Sequence, residues 1–358
     1  MRLRLLNAQL GESDIEAVLA SLRWLKDRGY VFSETAQSQI PRLVGEDYAE
    51  AAAALLLAQP NVVASSENVA NVPAEAGLVE SILVSQDGAS FIATSITAHS
   101  VLTKVGDAPW SATPINRASD LSGIVTEPDG ARAWIASANL DDSDEEEPLF
   151  TGLIGLSKVY DVARFVAAPE GVAVSDLAIA PDSTVYASDP LGGGVYFKQQ
   201  GRGLYEFIAP GTFRSPQGLA VSADGRRLYL SDYRYGLAVV DLETRAVSRL
   251  ESDVPAILDG VDGLWLHQGE LIAIQNGTSP MRISAFALSE DGTRITAARV
   301  LEQAHPDWTE PLGGSIAGGA LYYVATGQWD RYDQGRLRDG MEAIPTQIRR
   351  LPLGTPAD

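Results

Sequence analysis

Hydrophobic and polar positions alternate with a period of two over most of the chain, and short turns interrupt the alternation. In the stretch SPQGLAVSADGRRLYLSDY (215–233), Leu219 and Val221 alternate with small residues ahead of an Asp-Gly pair, and Leu228 and Leu230 follow it. A period of two is that of a β-strand with one buried face, and Asp-Gly is a preferred pair in tight hairpin turns. This stretch is therefore predicted to form a β-hairpin, with Gln217 just before its first strand.

The same hairpin pattern recurs five more times after residue 78. The copies are VESILVSQDGASFIATS (79–95), LSGIVTEPDGARAWIASA (121–138), VSDLAIAPDSTVYASDP (174–190), VDGLWLHQGELIAIQNG (261–277) and LGGSIAGGALYYVATG (312–327). Their turns lie about 40 to 55 residues apart, which is the period of a propeller blade. Strand candidates between the hairpins (236–250, 281–301) bring each unit to about four strands. The pattern predicts an all-β, six-bladed β-propeller; an open β array or a sandwich is the alternative.

The first sixty residues carry a helical pattern instead. Ser13-Asp14-Ile15-Glu16 fits a capping box, and apolar residues follow it at helical spacing as far as Gly29. A second helix is predicted from about Glu46 to Pro60. We therefore expect a helical extension (1–60) and a propeller (61–358). The last unit lacks an outer strand after 346–353, and the segment 61–72 is predicted to supply it and close the ring.

Composition narrows the range of partners. The chain of 358 residues has a formal net charge of -20, which argues against nucleic acid and anionic membranes and leaves a small-molecule ligand as the expected partner. The absence of cysteine excludes disulfides, thiol catalysis and Cys-zinc sites. The apolar run in the start MRLRLLNAQLGESD is too short for the hydrophobic region of a signal sequence. We expect a cytoplasmic protein as the sequence stands, or a periplasmic or secreted one if a leader has been removed.

Alignment of the six hairpins places one position of each unit directly before its first strand. In a propeller these positions meet around the mouth of the central channel, where ligand sites tend to form. Five of the six side chains offer oxygen, which suits a hard divalent cation such as calcium. The alternative is that they cap strands and bind loop backbone. The six residues are Glu80, Ser122, Ser175, Gln217, Asp262 and Leu312.

Loops at the same mouth add candidates for catalysis and substrate binding. A carboxylate or histidine beside a cation can act as general base, and Arg214 or His305 can polarise a carbonyl group. The alternative for His305 is a loop histidine bonded within its own turn, and the alternative for Arg214 is a structural ion pair. The acidic run DDSDEEEP (141–148) is expected to be a solvated loop. The remaining substrate-binding candidates are Asn139, Asp232, Asn276 and Trp329.

The hairpins SDLAIAPDSTVYASDPLGGGVY, FRSPQGLAVSADGRRLYLSDY and DGVDGLWLHQGELIAIQNG resemble the regucalcin/gluconolactonase superfamily of six-bladed propellers. The resemblance covers the chain from about residue 75 to about residue 353. It implies one divalent cation at the channel mouth, with Glu80 and Asp262 at the family's glutamate and aspartate positions. Ser175 and Gln217 stand where the family has asparagine. The resemblance also implies that Asp262 is the base in lactone hydrolysis.

The two departures from the family pattern leave three hypotheses open. Glutamine moves the ligand oxygen by about one bond length relative to asparagine, and serine is a shorter, weaker ligand. The first hypothesis is a cation-assisted hydrolase of a lactone or small ester. The second is a non-catalytic propeller that binds an organic ligand or a protein through a degenerate metal site. The third is a metal-free enzyme, similar to strictosidine synthase, that uses Glu80 as acid and base.

Overall fold

The protein is described here by a computed structural model covering residues 2–56, 59–141, 149–157, 161–199, 201 and 203–354. Of the acidic run predicted to be a solvated loop, all but Asp141 lies outside the described residues. No helix in the covered ranges is long and apolar enough to cross a membrane.

Four helices precede the first strand and pack on one another around their own apolar core, which contains Val18, Leu22 and Leu56. Helix α2 begins one residue later than the capping box predicts, because Asp14 rather than Ser13 accepts a hydrogen bond from the Ala17 amide. Two of the four helices are not predicted from the sequence. The helices are α1 (Arg2–Gly11), α2 (Ile15–Lys26), α3 (Glu34–Leu43) and α4 (Glu46–Leu56).

The rest of the chain forms six antiparallel blades, as the repeat predicts. Strand β1 (Glu67–Val72) comes first in the chain and belongs to the last blade. Blades one to three each contain four strands in chain order. Blade one contains β2 (Val79–Val84), β3 (Ser90–Ser95), β4 (Ser100–Val105) and β5 (Ser111–Pro114), and blade two contains β6 (Asp120–Thr126), β7 (Arg132–Ala138), β8 (Gly152–Ser157) and β9 (Val162–Ala167). Blade three contains β10 (Leu177–Ile179), β11 (Val185–Asp189), β12 (Gly194–Lys198) and β13 (Tyr205–Ile208).

Blades four and five continue in the same order, and a short parallel strand, β18, pairs with the outer strand of blade five. A small ribbon, β25 with β26, stands apart from the blades. The strands are β14 (Pro216–Val221), β15 (Arg227–Asp232), β16 (Gly236–Asp241), β17 (Val247–Arg249), β18 (Glu251–Ser252), β19 (Gly263–His267), β20 (Glu270–Gln275), β21 (Arg282–Leu288), β22 (Arg294–Gln303), β23 (Gly314–Ala317), β24 (Ala320–Val324), β25 (Tyr332–Asp333), β26 (Arg336–Leu337) and β27 (Thr346–Pro352).

The sixth blade joins the two ends of the propeller. Its sheet has the order β1-β27-β24-β23, so its outer strand comes from the segment before blade one. The chain just before β1 is fastened by Glu302, whose carboxylate accepts hydrogen bonds from the amides of Ser65 and Ser66 and from the hydroxyl of Tyr323. Arg349 donates to both the hydroxyl and the carbonyl of Ser66. Ring closure therefore depends on strand pairing and on this buried group of hydrogen bonds around Glu302, Ser66, Tyr323 and Arg349, which we call the clasp.

The hydrophobic core of the propeller is divided among the spaces between adjacent blades. One apolar cluster fills each of the six interfaces, for example Val79 and Leu312 between blades one and six, and Tyr229 and Leu264 between blades four and five. The first strands of neighbouring blades contact one another, so they surround the central axis. This packing fixes the first residues of the six inner strands in one ring.

Candidate active site at the channel mouth

Hydrogen bonds between neighbouring blades hold the ring at the start of the inner strands. The amides of Gly123, Gly218 and Gly313 donate to the carbonyl oxygens of Ser175, Asp262 and Glu80 on the next blade, at 2.9, 2.8 and 3.0 Å. A Cβ atom at Gly218 would lie 2.5 Å from the Leu264 nitrogen. Glycine at this position therefore allows the two backbones to approach closely enough to bond.

β-bulges turn the predicted ring residues out of the regular ladder. Strand pairing shifts register between Val79 and Ser81, between Leu121 and Ile124, and between Pro216 and Leu219, so that Glu80, Ser122 and Gln217 fall within the irregular segments. A bulge leaves residues unpaired and redirects their side chains. The sequence alternation predicts the strands, whereas the bulges determine where these polar side chains point.

A cavity of about 20 Å³ lies inside the ring, which is room for about one water molecule or one bare cation. Five of the six aligned positions line it; the sixth, Leu312, is buried in an apolar cluster instead. No Lys, Arg or His is among the lining residues, which are Glu80, Ser81, Ser122, Gly123, Ser175, Asp176, Gln217, Asp262, Gly263 and Gly313.

Glu80 is the carboxyl group whose protonation this site alters most. Burial first, and then the negative charge of Asp262, raises the pKa of Glu80 well above its usual range. The indole Nε1 of Trp329 donates to Glu80 Oε2 at 2.8 Å, which favours the ionised form and partly opposes that rise. Without a cation, burial therefore favours the neutral form of Glu80, and the bond from Trp329 holds its carboxyl group in a fixed orientation.

Asp262 is oriented by a chain of hydrogen bonds from blades four and five. Tyr233 donates its hydroxyl to Asn276 Oδ1 at 2.8 Å, and Asn276 Nδ2 donates to Asp262 Oδ2 at 2.9 Å. Burial raises the pKa of Asp262 to about 6, and the bond from Asn276 limits the rise. With a pKa of about 6, Asp262 is mostly ionised at neutral pH. Asn276 was predicted to bind substrate, and here it contacts the carboxylate.

Two further carboxylates were missed by the sequence alignment. Asp176, next to Ser175, lines the cavity, and burial raises its pKa to about 7. Burial and the charge of Asp262 likewise raise the pKa of Glu310 to about 7. The signals in the sequence were the dipeptide Ser-Asp before β10 and the acidic residue in HPDWTEP, both adjacent to positions that were considered.

Two predicted substrate-binding residues have structural bonds at this end of blade four. The Asp232 carboxylate accepts hydrogen bonds from the backbone amides of Arg214 and Ser215, at 3.1 and 3.0 Å. The side chain of Arg214 is exposed. Gln217 Nε2 donates to the Ser215 hydroxyl at 3.2 Å. Asp232 therefore holds the loop that carries Arg214 and leads into Gln217.

The structure places His305 and Asn139 away from the cavity lining. His305 is 7% exposed, its Nδ1 accepts a hydrogen bond from the Asp307 amide, and its ring packs near Trp308. Its Nε2 lies 3.9 Å from Glu302, in the clasp that closes the ring. Asn139 lines a separate surface cavity beside Phe150. Neither residue is brought to Glu80 or Asp262 in this arrangement.

The donor set is compatible with a hard cation in chemistry and in charge. All side-chain donors of the lining are oxygens or the Gln217 amide, and the acidic groups have no basic partner among the lining residues. Within the ranges that the structure covers, no group of three or more His, Cys, Asp or Glu side chains could hold a metal ion. A cation here would be held by Glu80 and Asp262, with Gln217, Ser175 and water completing the shell.

We predict that Gly218→Ala destabilises the ring. A methyl group at this position meets backbone atoms at 2.5 and 2.7 Å, and overpacking of this kind costs about 1–3 kcal/mol in the free energy of unfolding. Urea unfolding measures the loss. Gly203→Ala is the matched control, because its Cβ would meet nothing closer than 3.6 Å; equal stability of both variants would contradict the close approach.

The fold and the carboxylate-lined mouth define a six-bladed propeller with a candidate site on its axis. No family model and no curated protein matches the sequence. Solved structures of similar fold include a virginiamycin B lyase from Staphylococcus aureus (TM-score 0.54, 12% identity, covering 73% of this chain and 81% of that chain). They also include the calcium-binding protein regucalcin from Agrobacterium tumefaciens (0.52, 14%, 81% and 95%) and a gluconolactonase from Xanthomonas campestris (0.50, 14%, 80% and 98%). The strand topology has the six blades that the resemblance predicts, and the regucalcin and the gluconolactonase share this fold.

Proposed function

We propose that the protein hydrolyses a lactone or a related small neutral ester at the channel mouth, assisted by a divalent cation, with calcium the best fit. The observation that carries the proposal is that Glu80 and Asp262 line one cavity together with the oxygen-bearing side chains of Gln217 and Ser175, with no basic residue in the lining. The fold that this chain shares with a regucalcin and a gluconolactonase gives additional support.

Buried negative charge of this density requires compensation. Carboxylates taken out of water either take up protons or bind cations, because an unpaired buried charge costs several kcal/mol. Without a cation, only protons can neutralise these carboxylates, and the pKa values of Asp176 and Asp262 are accordingly raised to about 7 and about 6. A divalent cation, when bound, would polarise the ester carbonyl and lower the pKa of a bound water molecule.

The residues of the chain have separate roles in the proposed hydrolysis. Asp262, oriented by Asn276, takes a proton from water as the water oxygen forms a bond to the ester carbonyl carbon. The bond from that carbon to the ring oxygen then breaks, and the proton passes from Asp262 to the departing oxygen. Water is consumed, and a lactone becomes a hydroxy acid. The exposed Arg214 would contact the substrate at the mouth.

A metal-free acid–base enzyme is the second candidate, and one observation favours it. Glu80 and Asp262 line one cavity in unequal environments: burial and the charge of Asp262 raise the pKa of Glu80 well above its usual range, whereas the bond from Asn276 limits the pKa of Asp262 to about 6. A pair of this kind can supply an acid and a base at the same pH. In that case Glu80 donates the proton to the departing oxygen, and chelators leave activity unchanged.

Thermal melting with calcium distinguishes the two candidates. We expect calcium to stabilise chelator-treated protein by about 2.7 kcal/mol at a hundredfold excess over its dissociation constant. The stabilisation should be small at pH 5 and largest at pH 8. The carboxyl groups with pKa values of about 6 and 7 hold protons at pH 5, and protons compete with the cation.

The control for this measurement is Asp224→Asn, which removes an exposed carboxylate from the hairpin turn of blade four. Calcium should stabilise this variant as it does the parent protein, whereas Asp262→Asn should abolish the effect. Absence of any shift with calcium, magnesium or manganese at pH 8, together with lactone hydrolysis in a chelator, would replace the cation-assisted mechanism with the metal-free one.

A further inference from the structure

A second cavity lies where the N-terminal helices meet the fourth and fifth blades, and it shares no lining residue with the carboxylate ring. Its volume is about 370 Å³, within the range of small-molecule sites. Helices α1 and α2 form one side, and the start of β16 with the segment 256–259 forms the other. It is lined by Arg2, Leu5, Trp24, Tyr235, Gly236, Leu237, Arg249, Leu250, Ala256, Leu258 and Asp259.

The walls of this cavity are apolar and remain open to solvent. Leu5 is 44% exposed, although it belongs to a helix whose other face is packed in the helical core. Leu258 and Ala256 face it from the propeller, and both are only partly buried against the cluster between blades four and five. Apolar surface grouped in a concave site of this size is typical of a ligand pocket.

Arginines at the edge of the cavity are fixed in place. Arg2 lies over the Trp24 ring at 4.7 Å, and Arg4 lies over the Tyr235 ring at 4.5 Å and donates to its hydroxyl. Arg249 donates to the Tyr235 carbonyl at 2.7 Å. Among the described residues, neither Arg2 nor Arg249 forms a salt bridge. Each guanidinium has five N–H donors, so donors remain for an anion.

The charge of this cavity is opposite to that of the molecule. The chain has a net charge of -20, yet the lining contains two arginines against one carboxylate, Asp259, and Arg4 adds a third cation beside it. A purely apolar ligand would gain nothing from the arginines, and a highly charged one would not match the leucine and tryptophan walls. Apolar walls with a cationic edge match an aliphatic chain that ends in one carboxylate.

We propose that this cavity binds an aliphatic carboxylate, with the chain against Leu5, Leu258 and Trp24 and the carboxylate at Arg2 and Arg249. The site needs both parts of the protein, because α1 supplies Arg2 and Leu5 and the propeller supplies Arg249 and Leu258. The helical extension thereby has a role beyond covering the propeller. The site is independent of the hydrolase proposed at the channel mouth.

Calorimetric titration of the full chain with decanoate, below its micellar concentration, tests the proposal. We expect saturable binding at one site per chain. Each methylene removed should weaken binding about fourfold, and the series decanoate, octanoate, hexanoate removes two methylenes at each step. Replacing Arg2 and Arg249 together by glutamine should weaken decanoate binding at least tenfold. Arg226→Gln, an exposed arginine in the hairpin turn of blade four, is the matched control and should leave it unchanged.

Two further measurements keep the test decisive. Ala256→Trp fills the cavity and should abolish binding while far-UV circular dichroism stays that of the parent. Decanol, which has the same chain without the charge, should bind at least tenfold more weakly than decanoate. Equal binding of decanol, equal losses in Arg226→Gln and the double variant, or no saturable binding would overturn the proposal. So would a dimer that the double variant converts to monomers, because a second copy would then be the occupant.

Discussion

Asp262→Asn is expected to lower kcat/KM for lactone hydrolysis by about 10² to 10⁴, the usual contribution of a general base. The substitution keeps the size of the side chain and its place beside Asn276, but removes the group that accepts the proton. It also removes one of several mutually repelling carboxylates, so the free energy of unfolding should not fall. The measurement is initial-rate hydrolysis of a panel of neutral lactones, followed by pH-stat.

The matched control for this prediction is Asp224→Asn, which changes an exposed carboxylate in the turn of the blade-four hairpin. Its kcat/KM should stay within twofold of the parent. If Asp262→Asn retains full activity while folded, Asp262 is not the base. If no lactone is hydrolysed by the parent protein with or without calcium, the mouth is a binding site and the hydrolase proposal is wrong.

Glu302→Ala is expected to reduce the free energy of unfolding by about 3–5 kcal/mol. Glu302 is 0% exposed and accepts hydrogen bonds from the amides of Ser65 and Ser66, the Ser66 hydroxyl and the Tyr323 hydroxyl. Alanine leaves these buried donors unsatisfied and removes the link between the chain before β1 and blade five. Chemical denaturation measures the loss.

Glu67→Ala is the comparison for this effect, because it also joins β1 to the closing blade but through an exposed pair. Glu67 lies 3.1 Å from Arg350, and its side chain is 65% exposed. Exposed pairs contribute about 0–1 kcal/mol, so this variant should be close to the parent in stability. A loss of similar size in both variants would show that strand pairing, rather than the buried clasp, closes the ring.

The sequence predicted the blades better than it predicted the site. Each hairpin has a period of two and a turn residue, and both are local properties that the fold preserves. The N-terminal helices were predicted less completely. Helix α1 separates its polar and apolar residues only weakly, so packing against the other helices defines it. Helix α3 contains Pro41, which argues against a helix in the sequence, although Ser33 caps its start.

Site residues were predicted where position along a strand determines location, and not where loops do. Glu80, Ser175, Gln217 and Asp262 line the cavity because each lies at the start of an inner strand: Glu80 and Gln217 are the second residues of β2 and β14, whereas Ser175 and Asp262 come just before β10 and β19, as predicted. His305 lies in a connection between blades, and its location depends on the clasp around Glu302, which no spacing in the sequence reveals. Asp176 was passed over because the alignment considered one residue per blade, whereas the bonding between blades brings two to the axis.

If the proposed hydrolysis takes place without a cation, the carboxylates around the axis have a consequence for release of the product. A lactone approaches the mouth as a neutral molecule, but the hydroxy acid that leaves it is an anion at neutral pH. Asp262 and the acidic groups next to it repel that anion, and with no basic residue in the lining nothing there retains it. Product inhibition should consequently be weak in a metal-free enzyme, whereas a bound divalent cation would attract the carboxylate of the product and make inhibition stronger.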